Sequence, residues 1–239
     1  MGRGDRSEPG ASTMTIEFDR QRSVPGQVYQ LLREKILTLE LAPGESINER
    51  RLCEWLGISR TPIREAIKRL SDVGLINTIP HVGTYVSLIS ARKVDELCLI
   101  RTNLEAAAVR VAAERFDQGT DNRLLALIAS QRASVERMDL NLNITIDNDF
   151  HRTIVELPGF TTIWSILENV MSEILRVRHL SVRVPGRLEE PLVEHAQILE
   201  ALRSHDPSRA EIAMREHLSR SYASIIEAIA AHPEFVDGR

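Results

Sequence analysis

Apolar residues recur at helical spacing along most of this chain and alternate, strand-fashion, over only one short stretch. Val28, Leu31, Leu32 and Ile36 mark a first helix, opened by Pro25 and followed by the Pro43-Gly44 turn. A second helix is expected from about Asn48 to Leu56, with Asn48 as N-cap and Gly57 in the left-handed position past its end. A third is expected from about Arg60 to Val73, ending at Gly74, with Ser59 or Thr61 as cap and Pro62 in the first turn. Leu75–Ile79 and Thr84–Leu88 read as two short strands around Pro80-His81-Val82-Gly83. From Ala91 onward the pattern predicts six helices, at roughly 91–116, 121–139, 143–156, 161–181, 188–204 and 207–231. Gly119, Pro158-Gly159, Pro185-Gly186 and Pro207 are read as the breaks between them. Residues 1–20 lack periodicity and read as a disordered tail. The expectation is a mainly α protein of two domains: 21–90, three helices and a hairpin, and 91–239, an all-helical bundle.

Composition narrows the class. The chain has 239 residues, 43% hydrophobic and 27% charged, with a net charge of −4. These are values of a soluble globular protein. No stretch approaches the ~18 apolar residues of a membrane span, and no apolar signal-peptide core follows Met1. Two cysteines, Cys53 and Cys98, are too few for a disulfide framework, which points to a reducing cytoplasm. The charge is unevenly placed: residues 21–90 carry +2 and residues 91–239 carry −5. A basic segment beside an acidic one is a weak pointer to nucleic acid.

The third helix sharpens that pointer. Ile63, Ala66, Ile67 and Leu70 form its core stripe, while Arg60, Arg64 and Lys68 share another face with Thr61 beside them. Arginine can pair with guanine through two hydrogen bonds, threonine can reach phosphate or base edges, and a helix N-terminus favours phosphate. A solvated face would show the same charges. The ordered set of two helices around a Leu56-Gly57-Ile58-Ser59 turn, then a hairpin, fits a winged helix-turn-helix.

Ser59-Arg60-Thr61-Pro62-Ile63-Arg64-Glu65-Ala66, then Leu70 and Gly74-Leu75-Ile76, resembles the signature of the GntR family of bacterial transcription regulators. Pro43-Gly44-Glu45 and Asn48-Glu49-Arg50-Arg51-Leu52 match as well, so the resemblance covers residues 24–90. It implies a dimer on a short palindromic double-stranded DNA operator. Carried over by motif position, Arg50, Arg60, Thr61 and Arg64 would be the main DNA contacts. Ser59 would cap the helix near phosphate, and Gly83 would sit at the wing tip. Pro80-His81-Val82 departs from the polar or basic residue that relatives more often carry before this glycine.

Of the seven histidines, three stand out beside one aspartate. Asp147 and His151 are one turn apart on one helix face. His195 lies in the stripe Leu192, His195, Leu199, Leu202, and His217 follows Ala213 and Met214. Three imidazoles and a carboxylate suit a transition metal. Each histidine alone also fits a satisfied core or surface role. Arg101 sits in an apolar stripe with Leu97, Leu104, Ala108 and Val111, and a buried guanidinium needs an anion. That anion is either Glu105, a carboxylate at a dimer interface, or the carboxylate of a bound effector.

The spacing and context of Asp147, His151, His195 and His217 resemble the ligand set of the FCD ligand-binding domain, found in the FadR branch of the same family. The resemblance implies an antiparallel helical bundle holding one divalent transition metal per chain: zinc first, with nickel, manganese or iron as other candidates. It also implies a small organic-acid effector at Arg101 and the metal, homodimerisation, and no membrane partner. Leu157-Pro158-Gly159-Phe160 departs from a turn that relatives often end in Asn. The expected function is a cytoplasmic, ligand-responsive repressor. The alternative is a metal-dependent enzyme acting on a small organic acid with an attached DNA-binding module, but no general base or nucleophile motif accompanies the ligands.

Overall fold

Helices dominate the computed structural model, which describes Phe18, Asp19, residues 21–181 and residues 187–238. The 1–20 segment, save Phe18 and Asp19, and the Pro185-Gly186 break lie outside the described residues. The chain divides into two compact units. One runs to Glu34 and resumes over Glu45–Ser87; the other comprises Lys35–Gly44 and Leu88–Arg239.

The first unit contains most of helix α1 (Val24–Leu37), then α2 (Glu49–Leu56), α3 (Arg60–Asp72) and the hairpin β1 (Ile76–Ile79) and β2 (Gly83–Val86). The local signals act as expected at α2. The Asn48 side chain accepts from the backbone N–H of Arg50 and Arg51, and Gly57 closes the helix at φ 66°. Ser59 departs from expectation. It occupies the N-cap position of α3 with extended backbone, but its hydroxyl makes no capping bond. Ile63, Ala66, Ile67 and Leu70 are buried, so the core stripe is where the periodicity puts it. The Arg69 guanidinium lies 4.3 Å over the Tyr29 ring and ties α3 to α1.

The hairpin is shorter than the sequence implies, because Leu75 and the 87–88 end leave the ladder. Its register pairs Ile76 with Val86 and Ile79 with Gly83. Gly83 therefore opens β2 and is not the wing tip. His81 takes the left-handed conformation (φ 63°) and makes the turn itself. Gly83 itself takes φ 155°, which residues with a side chain rarely adopt, and a Cβ there would stand 3.1 Å from the Tyr85 hydroxyl. The free edge of β2 is also covered. The Ile47 N–H donates to Thr84 O at 2.8 Å and the Val86 N–H to Glu45 O at 2.9 Å. The segment after Pro43-Gly44 is thus a third, short strand-like edge that local patterning did not reveal.

The second unit is a bundle of α4 (Ala91–Glu114), α5 (Gln118–Glu136), α6 (Leu140–Glu156), α7 (Thr161–Ser181), α8 (Glu190–Arg203) and α9 (Pro207–Ala231). Helix α4 packs along α9 and also touches α6, α7 and α8. One apolar cluster is built on Val109, Leu124, Phe150, Ile154, Leu199, Leu202 and Met214, and another on Ile89, Val94, Ile174, Val177 and Ile225. Two helices start three residues earlier than their apolar pattern. Asp117 caps α5 through the Thr120 N–H, and Asp139 caps α6 through the Leu142 N–H. Gly119 therefore sits inside the first turn of α5 and is not a break. After α9 the chain returns: the Ile89 N–H donates to Phe235 O and the Asp237 N–H to Ile89 O. No helix among the described residues is long and apolar enough to cross a membrane.

Candidate metal centre and nucleic-acid interface

In the first unit, the sequence-selected residues of α2 and α3 are open to solvent. Arg50, Ser59, Arg60, Thr61 and Arg64 are exposed at or near the starts of α2 and α3, and Lys68 is exposed two turns into α3. Arg64 Nε pairs with Glu49 Oε2 at 2.9 Å and Arg50 Nε with Glu54 Oε1 at 2.9 Å. Solvent-exposed pairs of this kind contribute little and are readily exchanged for phosphate or base contacts. The uncapped Ser59 hydroxyl is free for such an exchange as well.

In the second unit, Asp147, His151, His195 and His217 converge from three helices, α6, α8 and α9, and all are buried. One ligand atom from each lies within 4.8 Å of all the others. The one-turn spacing of Asp147 and His151 on α6 puts His151 Nε2 3.8 Å from Asp147 Oδ2. His195 Nε2 is 3.6 Å from Asp147 Oδ1, and His217 Nε2 is 3.1 Å from His151 Nε2. Phe150 stacks on the His195 ring at 3.9 Å between centroids and fixes its plane.

The opposite nitrogen of each ring is committed. His151 Nδ1 faces Glu105 Oε2 at 2.5 Å, His195 Nδ1 faces Gln131 Oε1 at 2.8 Å, and His217 Nδ1 faces Glu194 Oε2 at 2.7 Å. A carboxylate or an amide oxygen only accepts, so each Nδ1 carries the ring proton. In the neutral ring each Nε2 then presents a lone pair to the common centre. Among the described residues, His195 Nε2 has no hydrogen-bond partner. Nor has Asp147 Oδ2: Arg178 Nη2 stands 2.8 Å from it as an ion pair but without hydrogen-bond alignment. Burial holds His195 well below the usual histidine range and lowers His217 too, against the pull of Glu194. Burial raises the Asp147 carboxyl, but Arg178 together with His151, His195 and His217 overrides it and keeps the group well below the usual range. Three imidazole nitrogens and an ionised carboxylate facing one point form a donor set for a divalent cation.

Arg101 is buried and meets Glu105: its Nε lies 2.7 Å from Oε1. The same Glu105 carboxylate holds His151 with its other oxygen, so one group ties Arg101 to the cluster. Burial works to raise the Glu105 carboxyl, and the His151 ring and Arg101 guanidinium reverse this, drawing it down to about 2. Of the partners considered for Arg101 from sequence, Glu105 is therefore real, yet Arg101 Nη2 remains without a hydrogen-bond partner among the described residues. It borders a cavity with about 500 Å³ of empty volume, part of it open to solvent, which also reaches Asp147, Arg178 and His217. Gln131, Glu194 and Arg178 were not singled out from sequence, and Glu105 only as a partner of Arg101, not of His151. Glu105 had a signal, one turn from Arg101 on a buried stripe; the other three come from helices whose facing only packing decides.

Comparison with known proteins agrees with both units. The model of the bacterial regulatory proteins of the gntR family matches residues 25–86, and the FCD domain model matches residues 96–220. The HTH-type transcriptional repressor RspR of Escherichia coli K12 is 30% identical over 213 residues, 89% of this chain and 93% of that protein. A probable D-xylose utilization operon transcriptional repressor of Paenarthrobacter nicotinovorans is 28% identical over 82% of this chain and 86% of its own. Among solved structures, Escherichia coli McbR/YncC superposes with a TM-score of 0.73 at 24% identity, covering 86% of this chain and 98% of that one. A putative GntR regulator from Rhodococcus sp. RHA1 gives 0.71 at 24% identity, covering 87% and 99%. These families and relatives are transcription regulators and not enzymes. The chain belongs to the GntR family of DNA-binding transcription regulators, in the branch that joins the helix-turn-helix domain to a C-terminal FCD domain.

Proposed function

We propose that this regulator is a metabolite-responsive repressor that binds a palindromic operator as a homodimer in the cytoplasm. Residues 21–90 read DNA, with Arg60, Thr61 and Arg64 entering a major groove. Arg50 and Ser59 contact the backbone, and Gly83 lets the wing approach a minor groove. Residues 91–239 hold one divalent transition metal through Asp147, His151, His195 and His217, and mediate dimerisation. The metal supplies a Lewis-acidic anchor for an anionic group. Arg101 supplies hydrogen bonds for the same group, so a small organic acid bridges the two. The acid shifts the bundle between two arrangements by binding one of them more tightly, and the spacing of the reading heads changes with it.

The observation that carries the metal reading is the tying-off of all three Nδ1 atoms, which leaves three Nε2 lone pairs and Asp147 facing one centre. Elemental analysis of purified protein tests it. About one transition metal per chain is expected in the wild type, and none in a His195→Ala/His217→Ala double variant. A metal-free wild type after metal-replete expression would refute the site and leave the DNA-binding assignment intact.

A further inference from the structure

The two arginines that open α3 are held differently. Arg64 Nε donates to Glu49 Oε2 at 2.9 Å, so the pair joins α3 to the first turn of α2. Arg60, one turn earlier on α3, is exposed and takes part in no ion pair among the described residues. With Arg64 in a major groove, as proposed above, we propose that Glu49 is the positioning residue behind that contact. It holds the Arg64 guanidinium end-on and so sets a preference for guanine at the base pair Arg64 meets.

Glu49 is fixed before any duplex arrives. Asn48 caps α2 through the N–H groups of Arg50 and Arg51, which pins the first helical residue, Glu49. A carboxylate in the first turn is also favoured by the helix dipole. At the other end of α2, left-handed Gly57 turns the chain towards α3. The pair then bridges two helices fifteen positions apart in the chain. The Glu49 side chain is 32% exposed, whereas Glu54, which pairs with Arg50 inside α2, is 61% exposed. The Arg50 pair lies on one helix in open water, where such contacts count for little. The Arg64 pair is partly sheltered and ties one element to another.

The donor pattern gives this pair its chemical use. A guanidinium carries five N–H donors in a planar fork. Glu49 takes the Nε edge, and Nη1 and Nη2 make no other hydrogen bond among the described residues. Two in-plane nitrogens match guanine O6 and N7. The carboxylate and the base therefore use different edges and do not compete. An untethered arginine would give up rotamer freedom on docking, or swing to a phosphate and read nothing. As water leaves the groove, the attraction within the pair strengthens. A carboxylate on a DNA-facing surface is otherwise a handicap, because phosphates of every sequence repel it. That repulsion weakens binding to arbitrary DNA, while the tethered arginine favours one base; both widen the gap between right and wrong sites.

Selection of duplexes from a randomised library by the full chain, then fluorescence anisotropy on the selected duplex and its single-base variants, tests this. Comparing wild type with Arg64→Ala marks the base pair that Arg64 reads. Glu49→Gln is expected to lower the guanine preference at that base pair on the order of tenfold and to leave the other positions as they are. Its binding to a scrambled duplex should hold or tighten, and Glu49→Gln/Arg64→Ala should discriminate no worse than Arg64→Ala alone. Glu54→Gln takes the same charge from the same helix and should leave that base pair untouched. An intact preference in Glu49→Gln, or an equal loss at every position, overturns the positioning role and leaves Arg64 as a base contact. If Arg64→Ala alters the preference at no position, the reading-head assignment falls, and the positioning role with it.

Discussion

Glu105 shows what a single carboxylate can organise. One oxygen receives Arg101 and the other receives His151, so the residue sets the orientation of a candidate metal ligand and of a candidate anion anchor together. Glu105→Gln keeps the size but turns one acceptor into an NH₂ that faces another donor. Metal affinity should fall on the order of 10–100-fold, read by competition with a chromogenic chelator. On the DNA side, Arg60→Ala or Arg64→Ala should each cost about 1–3 kcal/mol of operator binding and relax base preference, measured by fluorescence anisotropy on sequence variants. The convergence of the four candidate ligands was legible in the sequence. The Asp147–His151 spacing and the apolar stripe around His195 are local patterns, and the family signature fixed their pairing with His217. The partners of the Nδ1 atoms were not legible, because Gln131 and Glu194 are brought in by α5 and α8 and nothing local says that they face inward.

At the scale of elements, capping decided more than apolar periodicity. The starts of α5 and α6 follow Asp117 and Asp139, and sequence reading that waited for the first periodic apolar residue placed both starts three residues late. The helix-turn-helix was read closely because its turn rests on one residue: Gly57 at φ 66°, with nothing within 4 Å of where a Cβ would stand. Gly57→Ala should therefore act through the backbone alone and cost about 1 kcal/mol in chemical denaturation, with Gly57→Asn costing less. The covered edge of β2 was missed since it pairs residues 45–47 with the hairpin across nearly forty residues of chain, and pairing at that distance leaves no periodic trace. The wing turn was misassigned for a related reason. The sequence offers one glycine there, but the left-handed residue is His81.

The whole molecule is two units with different sources of stability. The DNA-binding unit rests on caps and a small apolar core. The bundle holds a buried polar centre whose donors face one another, which costs stability that the proposed cation would restore. Chelation should thus act on one unit only. By calorimetry, EDTA treatment should lower the melting of the bundle, whereas the DNA-binding unit should melt unchanged. With metal at a thousandfold over its dissociation constant the difference is about 4 kcal/mol. Two melting transitions that move together would contradict this separation.

The end of the chain carries a consequence for signalling. Residues 235–237 hydrogen-bond to Ile89, two positions past Ser87, where the DNA-binding unit ends. The helix that precedes this return, α9, carries His217 and, lining the same cavity, Ser221 and Ser224. If a metabolite acts as proposed, these residues would be a coupling pin, fastening the helix that feels it to the segment that follows Ser87. Ending the chain after His232 removes none of the proposed metal ligands or DNA contacts, so both kinds of binding should survive. The loss should be in the conversation between them, seen as operator affinity that no longer changes when the acid is added.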